Sequence, residues 1–361
     1  MAKRIGILIH NKANLFANGI TQNAYFYKVC FDGAGIHCDL VCNETNPAPF
    51  GHNNIKVISL NENFPWADYR AIISVSRALS ETHYKECQSH NVRVIAFTCG
   101  NNFISNLDGF LHKPMLGPPR RTKSYDEAWI IPSFYEQKEY NRIWCDIPTY
   151  SVPHLWSPRL LEHRSKQLEG IAADKLLWKE KPNTAQIVIA SLDANQMYSK
   201  TSIVPLIAGE YIYMRNPSIV KHFFLANRPN NSYADEYIGQ LTIPVISNKG
   251  YKEIDQMICA LNNDDSFPIL VFHQMHHSLN YLYYEAMYYG FPFVHNSSIL
   301  KHVGYYYEGC DIEACAEAIL RAHRMHTKQW ETMREANMEY LRGIDPYDEE
   351  VQEYHKQLIE A

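Results

Sequence analysis

No apolar run in the 361-residue sequence approaches the roughly eighteen residues that a membrane-crossing helix requires. Its opening, "MAKRIGILIHNK", holds an apolar stretch far shorter than the core of a secretory signal, so no export is expected. The nine cysteines contain no CxxC pair and no histidine partner at zinc-finger spacing. Reduced thiols in a cytoplasmic setting follow, and a structural zinc does not. There is no excess of positive charge: the net charge is −5 with histidines neutral, which gives no general attraction to nucleic acid or anionic membranes. Internal repeats and low-complexity segments are also missing. No two carboxylates stand at metal-binding spacing, and the adjacent His276 and His277 would point to different sides of a helix. No bound metal and no cofactor are therefore expected.

Apolar residues, by contrast, make up 46% and charged residues 20%, a globular mixture. Aromatics reach 13%, with 25 tyrosines, whose apolar body and polar tip suit clefts as well as cores. The length is comfortable for two domains. Short branched runs ("RIGILIH", "IHCDLVC", "IKVISL", "AIISVS", "VRVIAFTCG", "EAWIIP", "IPTYSVP") alternate with helical patterns through the first half. Residues 156–183 are polar and charged and read as a linker with some helix. Alternation restarts at "AQIVIAS" and continues through "IVKHFFLA", "TIPVIS", "FPILVFH" and "FPFVHN", ahead of a long helical pattern at 311–341. Strands alternating with helices imply parallel sheets with ligands beyond the strands' carboxyl ends. The expected domains are residues 1–155 and 184–330, joined by the linker, with a C-terminal helix over 331–361 crossing back to the first domain.

The stretch "HSLNYLYYEAMYYGFPFVHN" concentrates the chemistry. A helix starting near Ser278 would direct unsatisfied backbone N–H groups and its dipole toward an anion such as a diphosphate. Two turns on, Glu285 is placed to accept hydrogen bonds from the two hydroxyls of a ribose. Gly290 ends the helix and Pro292 prevents its continuation. This pattern, E-A-hydrophobic-x-x-G-x-P-hydrophobic, resembles the donor half of GT-B glycosyltransferases. Further blocks carry the likeness along most of the chain: "CGNNFISNLDGFL", "YDEAWIIPSFYEQKEY", "VPHLWSP" and "NQMYSKTSIVPLIAGEYIYMRNP". In that order they resemble a poorly characterised bacterial and viral family of GT-B-like glycosyltransferases and, more distantly, the phage DNA glucosyltransferases. The resemblance implies two Rossmann-like α/β domains with parallel sheets facing across a cleft, the first holding an acceptor and the second a nucleotide-sugar donor. One departure stands out. Many retaining enzymes of this fold carry an acid eight residues before the Glu-Ala glutamate; His277 is there instead, which leaves inversion and retention open.

The donor-site candidates are accordingly Asn195, Lys200, His273, His277, Ser278, Asn280, Tyr281 and Glu285, with Lys200 neutralising the leaving diphosphate. In the first half, Gly19 and Thr21 in "NLFANGITQN" and Asn101 and Asn102 after the fifth strand are candidates for the acceptor and sugar side. Gly19 would allow close backbone approach. Asp108 is the candidate general base on an acceptor hydroxyl, with Asp126 and His10 as rivals and His154 as a hinge residue. Phage enzymes place an aspartate directly after a comparable strand; Cys99 occupies that place here. The basic run "KPMLGPPRRTK" (113–123) is either a solvated loop or a phosphate contact. The expected function is transfer of a sugar from a nucleotide-diphosphate sugar to an acceptor hydroxyl, on a glycan or on a hydroxymethylated base of viral DNA. A non-hydrolysing sugar-nucleotide epimerase and a non-catalytic sugar-nucleotide-binding protein are the alternatives.

Overall fold

A computed structural model describes residues 3–10, 15, 19–51, 54–111, 125–167, 175–195, 198–248 and 254–361. It divides into two compact units, Met1–Ser157 with Leu341–Ala361, and Pro158–Tyr340. Each is built on one parallel sheet.

The first unit contains β1 (Arg4–Leu8), α1 (Gly19–Gly33), β2 (Cys38–Cys42), β3 (Val57–Ser59), β4 (Tyr69–Val75), α2 (Glu81–Ser89), β5 (Arg93–Thr98), α3 (Asn102–Leu111), β6 (Glu127–Ile130), a short α4 (Lys138–Tyr140) and β7 (Thr149–Ser151). The strand order is β3-β2-β1-β4-β5-β6-β7, with every pair parallel. The inner strands are short and continuously apolar because helices cover both faces; Ile5, Ile7, Leu8, Ala71, Ile72 and Ile73 are fully buried. In the second unit lie α5 (Arg159–Gln167), β8 (Ile187–Ser191), α6 (Ile203–Arg215), β9 (Val220–Leu225), α7 (Ser232–Gly239), β10 (Val245–Ser247), α8 (Ile254–Asn263), β11 (Phe267–Val271), α9 (Tyr281–Tyr289), β12 (Phe293–His295), β13 (Tyr305–Tyr306) and α10 (Ile312–Arg342). Its order, β10-β9-β8-β11-β12-β13, is also wholly parallel. Both sheets reverse direction of growth at their first strand, β1 beside β4 and β8 beside β11. Such a reversal opens a crevice at the strands' carboxyl edge.

Three expectations need correction. The single C-terminal helix over 331–361 is two helices: α10 runs to Arg342, and Gly343 and Pro346 separate it from α11 (Glu349–Glu360). Asp348 caps α11 by accepting from the amides of Glu350 and Val351. This helix packs on α1, with the His355 ring edge-on to Tyr27 at 5.5 Å, and Arg93 donates to the Ile359 carbonyl near its last turn at 2.9 Å. The stretch 156–183, expected as a linker with some helix, contains α5 and from Pro158 belongs to the second unit. Its described part buries Leu160, Leu161, Arg164, Leu176 and Trp178 in the second unit, because α5 is amphipathic and the Trp178 amide bonds the Tyr289 carbonyl at 2.7 Å. The helix expected to start near Ser278 starts at Tyr281, because Asn280 turns out extended and caps it, accepting from the Leu282 amide. Gly290, at φ +77°, ends it as expected, and the Phe291 amide returns to the Ala286 carbonyl at 3.0 Å.

All nine cysteines are free thiols. Among the described residues no helix is long and apolar enough to cross a membrane. The inner stripe of α10 closes the second unit with Cys315, Ala316, Ile319, Ala322, His323 and His326. His326 Nε2 lies 3.0 Å from the Gly290 carbonyl, and Trp178 packs edge-on against its ring at 4.6 Å. His295 Nε2 likewise meets the Val303 carbonyl at 2.9 Å.

Burial pushes both of these histidines down to about 4, so the folded protein holds them neutral. The unfolded chain takes up protons on them below about 6.5. Between those values the unfolded state binds more protons, so stability is retained above about 6.5 and lost as pH falls toward 4. Each site contributes on the order of 1.4 kcal/mol per pH unit. Thermal melts should show the midpoint falling steadily across that window, with a shallower fall in His326→Gln. Identical slopes in the two proteins would contradict this origin.

Candidate functional site

In the second unit, the chain leaving β8 and the chain leaving β11 meet at the reversal point. The centre of the meeting is Asp193, two residues past β8 and 1% exposed. Its Oδ1 accepts from Gln274 Nε2 at 2.7 Å and from Asn280 Nδ2 at 3.1 Å, and its Oδ2 from the His273 amide at 3.3 Å. One carboxylate thus joins the β8 exit, the β11 exit and the cap of α9. Burial drives its pKa up to about 7, against the lowering pull of those donors and of Lys200.

Lys200 lies beside the β11 exit. Its backbone bridges to Gln274, and the Met275 amide donates to the Ser199 carbonyl at 2.9 Å, so residues 199–200 lie alongside 274–275. Burial lowers the Lys200 pKa while Asp193 raises it. His277 shares this neighbourhood: burial and then Lys200 lower its pKa to about 3, and its Nδ1 sits 3.2 Å from the Leu279 carbonyl. The imidazole is therefore neutral. Two residues here, Asn195 and His276, take left-handed backbone conformations, with φ of 50° and 53°. Uncommon backbone of this kind marks a turn whose shape is set by its surroundings.

Asn280 bonds Asp193, the Lys200 backbone pairs with Gln274, and Lys200 acts electrostatically on both Asp193 and His277, with Ser278 and Tyr281 as neighbours in the chain. The structure gives other candidates different work. Asn195 is spent within its own loop: Nδ2 donates to the Asp193 and Ala226 carbonyls and to Ser202 Oγ, and Oδ1 accepts from the Ser202 amide at 2.8 Å. It shapes the Lys200 loop. His273 is a satisfied core histidine, with Nδ1 2.8 Å from Tyr307 Oη and Nε2 3.5 Å from Cys310 Sγ; burial lowers its pKa to about 4. Ser278 is not the cap, and its carbonyl accepts from Ser297 Oγ at 2.5 Å.

Glu285 is 4% exposed, not the exposed acid an ordinary amphipathic helix would carry. It lies about 200° around α9 from Tyr283, which faces the sheet through Phe272 and Phe293. There it joins a second charged cluster. Arg164 of α5 donates to Glu285 Oε2 at 3.3 Å, and to both oxygens of Asp255 of α8 at 2.6 and 2.7 Å. Tyr289 Oη also donates to Asp255, at 3.3 Å. Burial raises the Glu285 pKa; Arg164 lowers it and Asp255 raises it further.

Gly19, His10, Asn101 and Asn102 follow strand ends at the carboxyl edge of the first unit's sheet, whereas Asp126 precedes β6 at the amino edge. Gly19 is the first residue of α1, and its carbonyl accepts from Asn23 Nδ2 at 2.9 Å. Thr21 is buried in that helix. Most of the preceding loop (11–14 and 16–18) and the basic run 113–123 lie outside the described residues. Asn101 caps α3 by accepting from the Ile104 amide and donates to Glu136 at 2.6 Å. The Asn102 amide donates to Gln137 Oε1 at 2.7 Å, leaving the side chain exposed. Asp108 is half-buried on α3. Its rival Asp126 is structural: Oδ2 accepts from the Val94 amide at 2.7 Å and fastens the start of β5. His10 is exposed, and His154 is buried, with burial lowering its pKa to about 3.

Asp193, Gln274, Arg164 and Asp255 are the residues that sequence reasoning missed. Asp193 carried a readable signal, an acid two residues past the first strand of the second alternation. Arg164 carried none, lying in a run of charges.

A family model described as "Protein of unknown function (DUF2827)" matches residues 5–359. No curated protein matches the sequence. Among solved structures, a glycosyltransferase from Rickettsia africae superposes with a TM-score of 0.59 at 11% identity, covering 100% of this chain and 98% of that one. A UDP-forming α,α-trehalose-phosphate synthase from Burkholderia vietnamiensis gives 0.58 at 11%, covering 100% of both. An α-glucosyltransferase solved with UDP and a 13-mer DNA containing an HMU base gives 0.55 at 13%, covering 99% of both. At such identities the likeness establishes the fold, which is GT-B.

Asp193→Ala strands three donors at a buried position and should cost about 3 kcal/mol or more of stability. Asp193→Asn keeps an acceptor for Gln274 and Asn280 and should cost clearly less. Chemical denaturation of both variants checks the ranking; equal, small losses would show that Asp193 does not hold the crevice together.

Proposed function

The chain belongs to this family of proteins of unknown function, and from its reversal-point site we propose that it is a glycosyltransferase using a nucleoside-diphosphate sugar. The observation that carries the reading is that Gln274 and the Asn280 cap of α9 bond Asp193 at the carboxyl edge of β8 and β11, with Lys200 paired alongside Gln274. An ammonium and a helix start at a strand-order reversal form an electropositive seat suited to a diphosphate. The neighbouring structures solved with UDP support a uridine nucleotide as the donor's carrier.

In the proposed reaction the bond between the sugar's anomeric carbon and the diphosphate oxygen breaks, and its electron pair leaves with the diphosphate. Lys200 and the positive end of the α9 dipole stabilise that growing charge. The acceptor oxygen bonds the anomeric carbon and gives its proton to a base, for which Asp108 in the first unit is the candidate. Thr21, Asn101 and Asn102 are the candidate acceptor-side residues, and Glu285 is the candidate ribose ligand. Metal is not required in this scheme, because protein cations and amides do the neutralising. The acceptor is either a glycan hydroxyl or a hydroxymethylated base; the neighbour bound to HMU-containing DNA supports the second and the trehalose-phosphate synthase the first.

UDP at about a hundredfold excess over its Kd should stabilise the folded protein by about 2.7 kcal/mol and raise its melting temperature, and Lys200→Ala should lose most of that shift. No shift with UDP or any other nucleoside diphosphate would reject the proposal. Steeply salt-dependent binding to duplex DNA carrying hydroxymethylated bases, followed by sugar transfer, would identify a DNA acceptor. Transfer to a glycan with no DNA binding would identify the other.

A further inference from the structure

Helix α3 is turned inside out. Its sequence puts Phe103, Leu107, Phe110 and Leu111 within an arc of about 100° around the helix axis. A surface helix ordinarily buries such a stripe. Here Ile104 alone is buried, while Phe110 is 87% exposed, Leu111 68%, Phe103 46% and Leu107 43%. The side chains tied to the protein are polar ones: Asn101, the cap, donates to Glu136 at 2.6 Å, and Asn106 donates to Tyr140 Oη at 2.6 Å. The apolar face continues onto a row of aromatic rings. Phe103 meets Tyr140 at 5.3 Å, and the partly exposed Trp144 stacks on Tyr140 at 6.5 Å with the ring planes 9° apart. The charges beside this row, Glu139 and Arg142, are paired with each other at 2.7 Å. A contiguous exposed apolar face of this kind marks a place where something binds.

The charge pattern indicates what that is. Between Asp108 and Asp126 the sequence holds the cations Lys113, Arg120, Arg121 and Lys123 and no acid. Lys113 stands two residues beyond α3, a span of at most about 7 Å. Protruding apolar tips, a flank of Tyr and Trp, and basic charge of one sign next in the chain match the two layers of a bilayer surface, acyl chains beneath anionic headgroups. A nucleic acid would use the cations but leave Phe110 and Leu111 in water. We propose that this face of α3, flanked by Tyr140 and Trp144, docks the protein reversibly on an anionic lipid surface. Phe110 and Leu111 enter the boundary between headgroups and acyl chains, and the cations that follow select anionic headgroups. The net charge of −5 gives the chain as a whole no such attraction, so the selection is local. Docking of this kind is independent of the proposed donor site, whose residues belong to the second unit.

Sedimentation of the full chain with vesicles tests this, using phosphatidylcholine alone and phosphatidylcholine mixed with phosphatidylglycerol. Binding to the mixed vesicles should exceed binding to phosphatidylcholine by about tenfold or more and weaken as salt rises. Phe110→Ser combined with Leu111→Ser should lower it by at least about tenfold. Both positions are exposed, so the melting temperature and any shift caused by UDP should stay as in the wild type. Lys113→Gln, Arg120→Gln, Arg121→Gln and Lys123→Gln together should reduce binding to the level seen with phosphatidylcholine alone. A wild type that stays in the supernatant with both vesicles overturns the proposal. Full retention of binding in the serine pair also overturns it, because the apolar face would then take no part. A dimer or a duplex-DNA complex that the serine pair loses, with no vesicle binding by the wild type, would assign the face to a second copy or to nucleic acid instead.

Discussion

The second unit turns on one buried carboxylate. A parallel sheet that reverses its order must part the loops on either side of the reversal, and the crevice that results would close or splay without a tie across it. Asp193 is that tie. Its three donors come from the exit of β11 and the start of α9, while the residue itself belongs to the exit of β8. A buried carboxylate is costly unless it is fully hydrogen-bonded. The cost favours the geometry in which all three donors reach it.

The same residue sets the electrostatics. Asp193 and Lys200 oppose each other's discomfort: burial disfavours charge on both, and each favours the charge of the other. His277 completes the set as a neutral ring. An acid at that position, as in many retaining enzymes of this fold, would add a second negative charge to a crevice that already holds one. With a histidine there, Asp193 is the acid that acts on Lys200 among the described residues. The departure from the family pattern is thus consistent with the acid two residues past β8, which serves the loops in a way the motif does not record.

Much of the fold was legible because it rests on local pattern. The short apolar runs at 4–8, 71–75, 187–191 and 267–271 became the central strands, since a strand buried on both faces has no room for polar residues. Gly290 and Pro292 marked the end of α9 through backbone constraints that any sequence must obey. Boundaries set by side-chain hydrogen bonds were harder to place. The start of α9 was misplaced because Asn280 and Ser278 are both good caps, and the choice between them is made by Asp193, a residue 87 positions away. Asn195 and His273 were read as ligand groups from their places after the first strand of the second alternation and at a strand end. The partners they meet, Ser202 and Ala226 for one, Tyr307 and Cys310 for the other, have no signature in the sequence.

Arg164 shows where a linear reading stops. In the sequence it sits among "LLEHRSKQLEG", where nothing separates it from His163 or Lys166. On α5 the three differ by orientation: Leu160, Leu161 and Arg164 fall on one face and are buried, and Lys166 is exposed. The helix spends an inward position on a cation. Burying an arginine is favourable only when acids wait for it, and here two do, contributed by helices that lie 91 and 121 residues further along the chain. The motif marks Glu285, whose pKa burial raises and Arg164 pulls down. That counterweight comes from a segment that composition alone reads as a linker, and a linker has no reason to carry a buried cation.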